Sequence, residues 1–308
     1  VRKIIRIVLA IVAVAGLAGI AYVLLHNANI PVLNPQGEVA DKQRQLIIFT
    51  VTLGMFVIVP VFVMLFTFAW KYREGNTKEK YTPNADHNKW VEGLWWGIPV
   101  LIIGVLSVVT WQSSHDLDPY KKLDSTVKPI KVQVVALQWR WLFIYPDEGI
   151  ASINELHIPE KTPINFEITA DAPMNAFWIP SLGSQVYAMS GMTSQLSLMA
   201  DSTGEYAGSS SNISGKGYAG MKFKAISTSK NDYASWVKKT AELGSDLDWN
   251  KYNGDIAKPM QNSPVSYYVV RDNDLFSKVI MKYMSEGESH SHEAMEDTTH
   301  SHSEMEMQ

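Results

Sequence analysis

Three stretches of this chain, residues 7–25, 46–70 and 93–114, contain no Asp, Glu, Lys or Arg. A helix needs about 20 apolar residues to cross a hydrocarbon core about 30 Å thick, so each stretch is long enough to span a membrane. The first follows the basic start Val1-Arg2-Lys3-Ile4-Ile5-Arg6. It reads either as a signal peptide or as an uncleaved anchor. Its length, beyond the roughly 7–15 residues of a signal core, and the lack of a clean A-x-A site favour the anchor. The second, Leu46 to Trp70, holds Pro60, which a membrane helix tolerates with an expected kink. The third, Gly93 to Gln112, carries tryptophans at both ends, as the interfacial aromatic belt requires.

Basic residues set the orientation. Lys71, Arg73, Lys78, Lys80 and Lys89 lie between the second and third spans, against only Lys42 and Arg44 between the first and second. This bias places the 71–92 loop in the cytoplasm and everything after His115 on the outer face.

The remainder is polar, and at 308 residues the chain suggests two structural units. A net charge of −4 argues against a nucleic-acid partner, and the absence of cysteine excludes disulfides and thiolate metal sites. From Val127 the pattern becomes period two: Ile130, Val132 and Val134 alternate with Lys131 and Gln133, a strand with one wet face. Ile164 to Thr169, Gln195 to Met199 and Gly220 to Ile226 read the same way, which predicts a β-sandwich or barrel. Tyr233, Trp236, Val237 and Thr240 then fall at helical spacing over 232–243, with Gly244 as a stop, and a second helix is predicted over 274–284. The tail holds His290, His292, His300 and His302 among Met and acidic residues. It cannot build a core, and its His-x-His pairs are weak candidates for copper or zinc.

Within the stretch Met174 to Met221, Gly208 to Gly217 is Gly/Ser-rich like a linker, but the flanking strand patterns make it a domain loop. A phosphate loop is rejected there, because six residues rather than four separate Gly208 from Gly215-Lys216, and Gly217 follows in place of Ser or Thr.

W-R-W at 139–141, W-I-P-S-L-G at 178–183 and G-x-Y-x-G at 204–208, after two membrane helices, resemble subunit II of the haem-copper respiratory oxidases. L-G-S-Q-V-Y-A-M-S-G-M and S-G-M-K-F-K-A-I look like the bo-type quinol-oxidase branch. In the cytochrome c branch this domain is a cupredoxin with a two-copper centre held by two His, two Cys, a Met and a Glu carbonyl. By that resemblance the two His fall on Asn175 and Tyr218, the two Cys on Ser210 and Ser214, the Glu on Asn212, and the Met on Met221. No histidine occurs from Ile158 to Gly287, so no such ligand stands nearby. The Asp and Arg of the family's cytochrome-docking motif match Tyr187 and Met192, and its electron-accepting tryptophan matches Trp139, here expected to be structural.

The resemblance implies a membrane-anchored chain: transmembrane helices, an all-β cupredoxin-like Greek-key sandwich, and a small aromatic-rich helical C-terminal extension. The expected domains are a signal or first anchor at 1–28, a helical hairpin at 29–115, a copper-free cupredoxin domain at 125–228, the extension at 229–285 and a disordered tail at 286–308. It implies the non-catalytic subunit II of a proton-pumping quinol oxidase in a bacterial inner membrane. Haems and copper would lie in subunit I, with subunits III and IV and lipid as further partners, and no cytochrome c. Glu92, at the cytoplasmic end of the third span, matches a carboxylate at the mouth of a proton-uptake path; the plainer reading is an interfacial acid flanking a helix. A lipidated Cys that many relatives carry near Ala28 is missing, so lipid anchoring is not expected. Two alternatives stand beside this: a membrane-anchored metal-binding module using the tail, and a cytochrome c oxidase subunit II, disfavoured by the missing ligands.

Overall fold

The computed structural model describes residues 30–77 and 88–284, together with Gly16. The first apolar stretch apart from Gly16, Lys78 and Lys80 of the loop, and the His/Met tail lie outside the described residues.

The chain divides into two compact units, one of them Lys42–Lys121. Its elements are α1 (Glu38–Lys71), which begins just before the unit, and α2 (Lys89–Asp116). At 34 and 28 residues and about 1.5 Å per residue, α1 and α2 are each longer than a hydrocarbon core is thick. The apolar windows of both helices contain no buried residue. Side chains such as Phe66 and Trp96 stand about two-thirds exposed. Buried soluble helices would be covered by the fold; these faces require lipid or a partner. Hydroxyls within the apolar run are satisfied locally: Thr52 donates to the Ile48 carbonyl at 2.7 Å and Ser107 to Ile103 at 2.8 Å. Pro60 and Pro99 both lie inside continuous helix.

The second unit is a two-sheet, cupredoxin-like sandwich. Its strands are β1 (Ile130–Leu137), β2 (Arg140–Tyr145), β3 (Ile150–Ile153), β4 (Glu155–Pro159), β5 (Ile164–Ala170), β6 (Asn175–Trp178), β7 (Val186–Ala188), β8 (Ser194–Leu198), β9 (Gly204–Ser210), β10 (Lys222–Thr228), β11 (Ser245–Leu247) and β12 (Ser266–Val270). One sheet runs β11-β12-β3-β2-β1-β5-β8, the other β4-β10-β9-β6-β7.

β1 shows why only part of the pattern alternates. Val132, Val134 and Ala136 face the inter-sheet core with Trp141, Phe143, Phe166, Phe177 and Phe223. Lys131 and Gln133 lie on the other face, each bonded to Glu167 of β5. Beyond them Val135 and Leu137, on that same face, are buried under Tyr252, Ile256, Leu275, Phe276 and Val279 of the C-terminal extension. The wet face predicted from Lys131 and Gln133 therefore ends at Val135, where a second layer covers the sheet.

The extension comprises α3 (Lys230–Leu243), a short α4 (Trp249–Lys251) running into a π turn (Tyr252–Ile256), and α5 at residues 275–284. Ser229 caps α3 by accepting from the Asp232 amide, and Gly244 ends it by donating to the Thr240 carbonyl at 2.8 Å. The extension is not helical alone. β12 pairs antiparallel with β3, and β11 lies parallel beyond it, so the first sheet grows by two strands. Residues before α1 also dock on the sandwich: the Gln36 amide donates to Ser181 O at 2.7 Å and the Asp201 amide to Gln36 O at 2.9 Å. A Cβ on Gly37 would stand 2.3 Å from Met199 O, so only glycine fits that approach.

Candidate functional site

The site is built on the pairing of β6 with β9, which registers Phe177 against Ser210. That register sets Asn175 beside Ser210, and both are buried. The Asn175 side chain donates to Pro173 O at 2.8 Å and accepts at Oδ1 from Ser210 Oγ at 3.0 Å. Ser210 Oγ also accepts from the Ala176 amide at 3.3 Å and has Asn212 O as its alternative acceptor at 3.2 Å. Asn212 Nδ2 in turn donates to Met174 O at 2.7 Å. The loop from Ser210 to Met221 is closed at its base by the Ser210 amide donating to Met221 O at 3.3 Å. Met221 itself belongs to the inter-sheet core.

Of the six positions singled out in the sequence, the structure thus joins Asn175, Ser210 and Asn212 by side-chain hydrogen bonds and Met221 through its backbone. Ser214 and Tyr218 lie on the same loop without a side-chain hydrogen bond to the others among the described residues. Ser214 Oγ is buried without a partner there, and Tyr218 opens a single 3-10 turn, Tyr218–Gly220.

As a donor set these residues do not fit a two-copper group. A bridging pair needs soft thiolates that ionise near neutral pH, and hydroxyls of Ser210 and Ser214 supply neither softness nor charge. The amides of Asn175 and Asn212 are already committed to carbonyls. Among the described residues no group of three or more His, Cys, Asp or Glu is placed to hold a metal ion. Tyr187 and Met192, at the two positions of the docking motif, are about half exposed and uncharged.

Trp139, Arg140 and Trp141 show how one strand serves three partners. Trp141 points into the core, edge-on to Phe177 and Phe223. Trp139 covers the Ser210–Met221 loop; a Cβ on Gly217 would lie 2.3 Å from its indole. Arg140 faces the extension. Its Nη2 donates to the carbonyls of Asp255, Ile256 and Lys258 at 2.9, 2.6 and 3.2 Å. Nη1 reaches Ser263 Oγ and Met260 Sδ at 3.4 and 3.5 Å. Burial lowers the guanidinium pKa below its ordinary value, but an arginine keeps its charge at any physiological pH.

Two further anchors were not legible from sequence. The carboxylate of Asp171, in the turn after β5, accepts from Tyr252 OH at 2.8 Å, Lys282 Nζ at 2.8 Å and Tyr283 OH at 2.5 Å. Burial, with the Asp171 charge beside it, pushes the Tyr252 hydroxyl up, so it stays a donor. On the opposite sheet His157 bonds Glu155 at 2.7 Å and stacks on Trp236 of α3 at 4.2 Å, while Tyr267 OH donates to the same carboxylate. The His157 bond, ahead of the Tyr267 bond, holds Glu155 below the usual carboxylate range. The sequence signal was the density of aromatics after residue 232; their partners Arg140, Glu155 and Asp171 are too distant in sequence to be paired by pattern.

Glu92 lies in the first turn of α2, whose cap Asn88 accepts from the Trp90 and Val91 amides at 3.1 and 3.4 Å. An acid there is favoured by the helix dipole whatever else it does.

Comparison with known proteins agrees with this architecture. The family model for the cytochrome c oxidase subunit II periplasmic domain matches residues 148–227, and that for the COX aromatic-rich motif matches residues 242–287. The chain is 46% identical over 260 residues to the cytochrome bo(3) ubiquinol oxidase subunit 2 of Pseudomonas putida, covering 84% of this chain and 82% of that one. It is 42% identical over 273 residues to the ubiquinol oxidase subunit 2 of Acetobacter aceti, covering 88% of each. Among solved structures, the periplasmic domain of cytochrome oxidase subunit II from Bradyrhizobium japonicum aligns with 39% of this chain and 96% of its own, at 24% identity and a TM-score of 0.36.

Proposed function

The chain belongs to the quinol oxidase subunit 2 family, and from that premise we propose that it is the structural, non-catalytic subunit of a quinol:oxygen oxidoreductase whose electrons bypass its cupredoxin domain. The observation that carries this is the hydrogen-bonded network at Asn175, Ser210 and Asn212. Where a copper relay would need thiolates and imidazoles, the loops are held by amides and hydroxyls. A protein donor docking on the outer domain would find no electron acceptor there. A lipid-soluble quinol can reach a catalytic subunit from within the membrane and has no need of one.

Haems and copper then reside in subunit I, against which α1 and α2 pack with their exposed apolar faces, and subunits III and IV complete the assembly. The chain is multi-pass in a bacterial inner membrane, its sandwich on the periplasmic side, as the basic 71–92 loop supports. Glu92, at the cytoplasmic start of α2, supplies a carboxylate at the mouth of a proton-uptake path. Tail residues His290, His292, His300 and His302 carry no part of this function.

The test is affinity purification of the tagged chain from its native membrane in mild detergent. A haem-bearing subunit should co-purify and the complex should consume oxygen with quinol and not with reduced cytochrome c. Recovery of the chain without haem, or oxygen uptake driven by cytochrome c, would overturn the assignment.

A further inference from the structure

α3 is held to the sandwich along one row. Tyr233 and Thr240 are its buried residues, and Trp236 and Val237 pack against the inter-sheet core. Near the start of the helix the Tyr233 hydroxyl donates to Glu148 Oε1 at 3.1 Å. Glu148 lies in the turn between β2 and β3. Its other carboxyl oxygen, Oε2, is buried and has no hydrogen-bond partner among the described residues. The titratable and charged groups facing this carboxyl are Tyr233 from α3, Tyr145 from β2, Asp147 from the same turn and Lys128 from the approach to β1. The Tyr145 hydroxyl is spent on His157, donating to its carbonyl at 3.0 Å and accepting from its amide at 2.8 Å. A buried oxygen without a donor is tolerable on a neutral carboxyl and costly on an anion. Burial accordingly raises the Glu148 pKa above its ordinary 4.5, against the Tyr233 bond, and the like charge of Asp147 adds to the rise. Burial also pushes the Tyr233 hydroxyl up, so it stays a donor.

We propose that the α3 contact is a pH-responsive clasp, closed when Glu148 holds a proton and loosened when that proton is lost to solvent. The direction follows from linkage. With α3 docked the carboxyl binds its proton more tightly than with α3 away, where water reaches Oε2. Its contribution is therefore complete below the ordinary value of 4.5 and is lost as pH rises through the docked value. Glu155, reached from α3 through Trp236 and His157, works in the opposite sense, because the His157 bond above all lowers its pKa. The two carboxyls thus bracket the range over which α3 is held, Glu155 setting the acid limit and Glu148 the alkaline one. All of these groups belong to one compact unit, so the clasp stands independently of the subunit assignment.

The experiment is hydrogen–deuterium exchange of the full chain in detergent from about pH 5 to pH 8, with labelling times scaled to the intrinsic rate at each pH. Opening of 230–243 should increase by about fivefold or more over that range, the effect of leaving one buried oxygen unsatisfied, while β1 and β5 stay unchanged. Glu148→Gln, neutral at every pH and of nearly the same shape, should hold 230–243 at its low-pH protection throughout. Asp147→Asn removes a like charge at an exposed position and leaves Glu148 in place, so it should move the transition to lower pH. That surface variant decides the matter if Glu148→Gln does not fold. Protection of 230–243 that stays flat or rises with pH in the unsubstituted chain overturns the proposal. So does a pH response that survives in Glu148→Gln, which would assign it to another group such as His157, or a transition that Asp147→Asn leaves in place.

Discussion

Replacing Arg140 by Met should free the C-terminal extension while leaving the sandwich folded. The guanidinium donates to three backbone carbonyls, Asp255, Ile256 and Lys258, within 3.2 Å. These carbonyls end the short α4 and its π turn, where the helix dipole is negative, so hydrogen bonding and charge act together. A bond to a charged group contributes about 1.5–3 kcal/mol net. Three bonds to one buried cation do not add, because the cation's own desolvation is charged once against all of them; Arg140→Met leaves neutral carbonyls and no unpaired charge, so the loss is about 1.5–3 kcal/mol in all. At about 1.4 kcal/mol per decade this is a roughly 10- to 100-fold rise in local opening. Hydrogen–deuterium exchange on the intact complex reads it directly. Peptides covering 249–263 and 275–284 should exchange faster by that factor, with β1 and β5 unchanged. Arg140→Lys keeps the charge and loses the planar fork, and should fall between the two. Unchanged exchange in the extension would refute the reasoning. A uniform rise across the domain would also refute it, by showing that sandwich and extension open as one unit.

Acidification should loosen α3 and β12 through Glu155. Its folded pKa lies below its ordinary value of 4.5, so its contribution is complete above that value and is lost as pH falls through the folded pKa. Exchange of peptides over 230–243 and 266–270 should therefore rise from about pH 5 downward, and Glu155→Gln should flatten that dependence at a cost of about 1–3 kcal/mol. Glu92→Gln should slow quinol-dependent turnover and proton uptake without reducing haem content; unchanged turnover would leave the residue a helix-end acid. Asn175→His, Ser210→Cys, Asn212→Glu, Ser214→Cys and Tyr218→His together should give a visibly coloured copper-binding protein. A colourless product that takes up no more copper than the parent would show that the loop is not aligned as argued.

The helical hairpin and the strands at 164–170, 194–198 and 222–228 were legible because their signals are local: absence of charge over a span's length, and alternation over a strand's. β2 was not, since Arg-Trp-Leu-Phe-Ile-Tyr at 140–145 is buried on both faces and a strand covered on both sides loses its alternation. The same cause hid the end of the wet face at Val135. β11 and β12 escaped for a different reason. β12 is a short piece whose strand character depends on the edge offered by β3, more than a hundred residues earlier, and β11 depends in turn on the edge of β12. The loop positions Asn175 to Met221 were placed by motif rather than by physics. What pattern could not show is that Asn175, Ser210 and Asn212 bond to one another, because hydroxyls and amides carry no spacing rule of the kind thiolates and imidazoles do.

That network bears on how a loop whose donors do not suit a metal stays ordered. A bound metal contributes its binding energy to the fold that assembles its ligands; a loop without one must find the equivalent elsewhere. Here the replacement is distributed. Asn175, Ser210 and Asn212 tie β6 to the loop's first half, and the Ser210 amide to Met221 carbonyl bond closes its base. Trp139 covers its second half at Gly215 and Gly217. Trp139 is in turn held by the extension, since its amide donates to Met260 O at 3.3 Å and the Met260 amide donates to Gln138 O at 2.7 Å. Arg140, the next residue, fixes the same segment of the extension. The order of the loop is thereby coupled to the docking of an appended unit. Freeing the extension through Arg140 should accordingly raise exchange in the Gly215–Gly220 loop as a secondary effect, smaller than that at 249–263, and its absence would place Trp139 under the control of the sandwich alone.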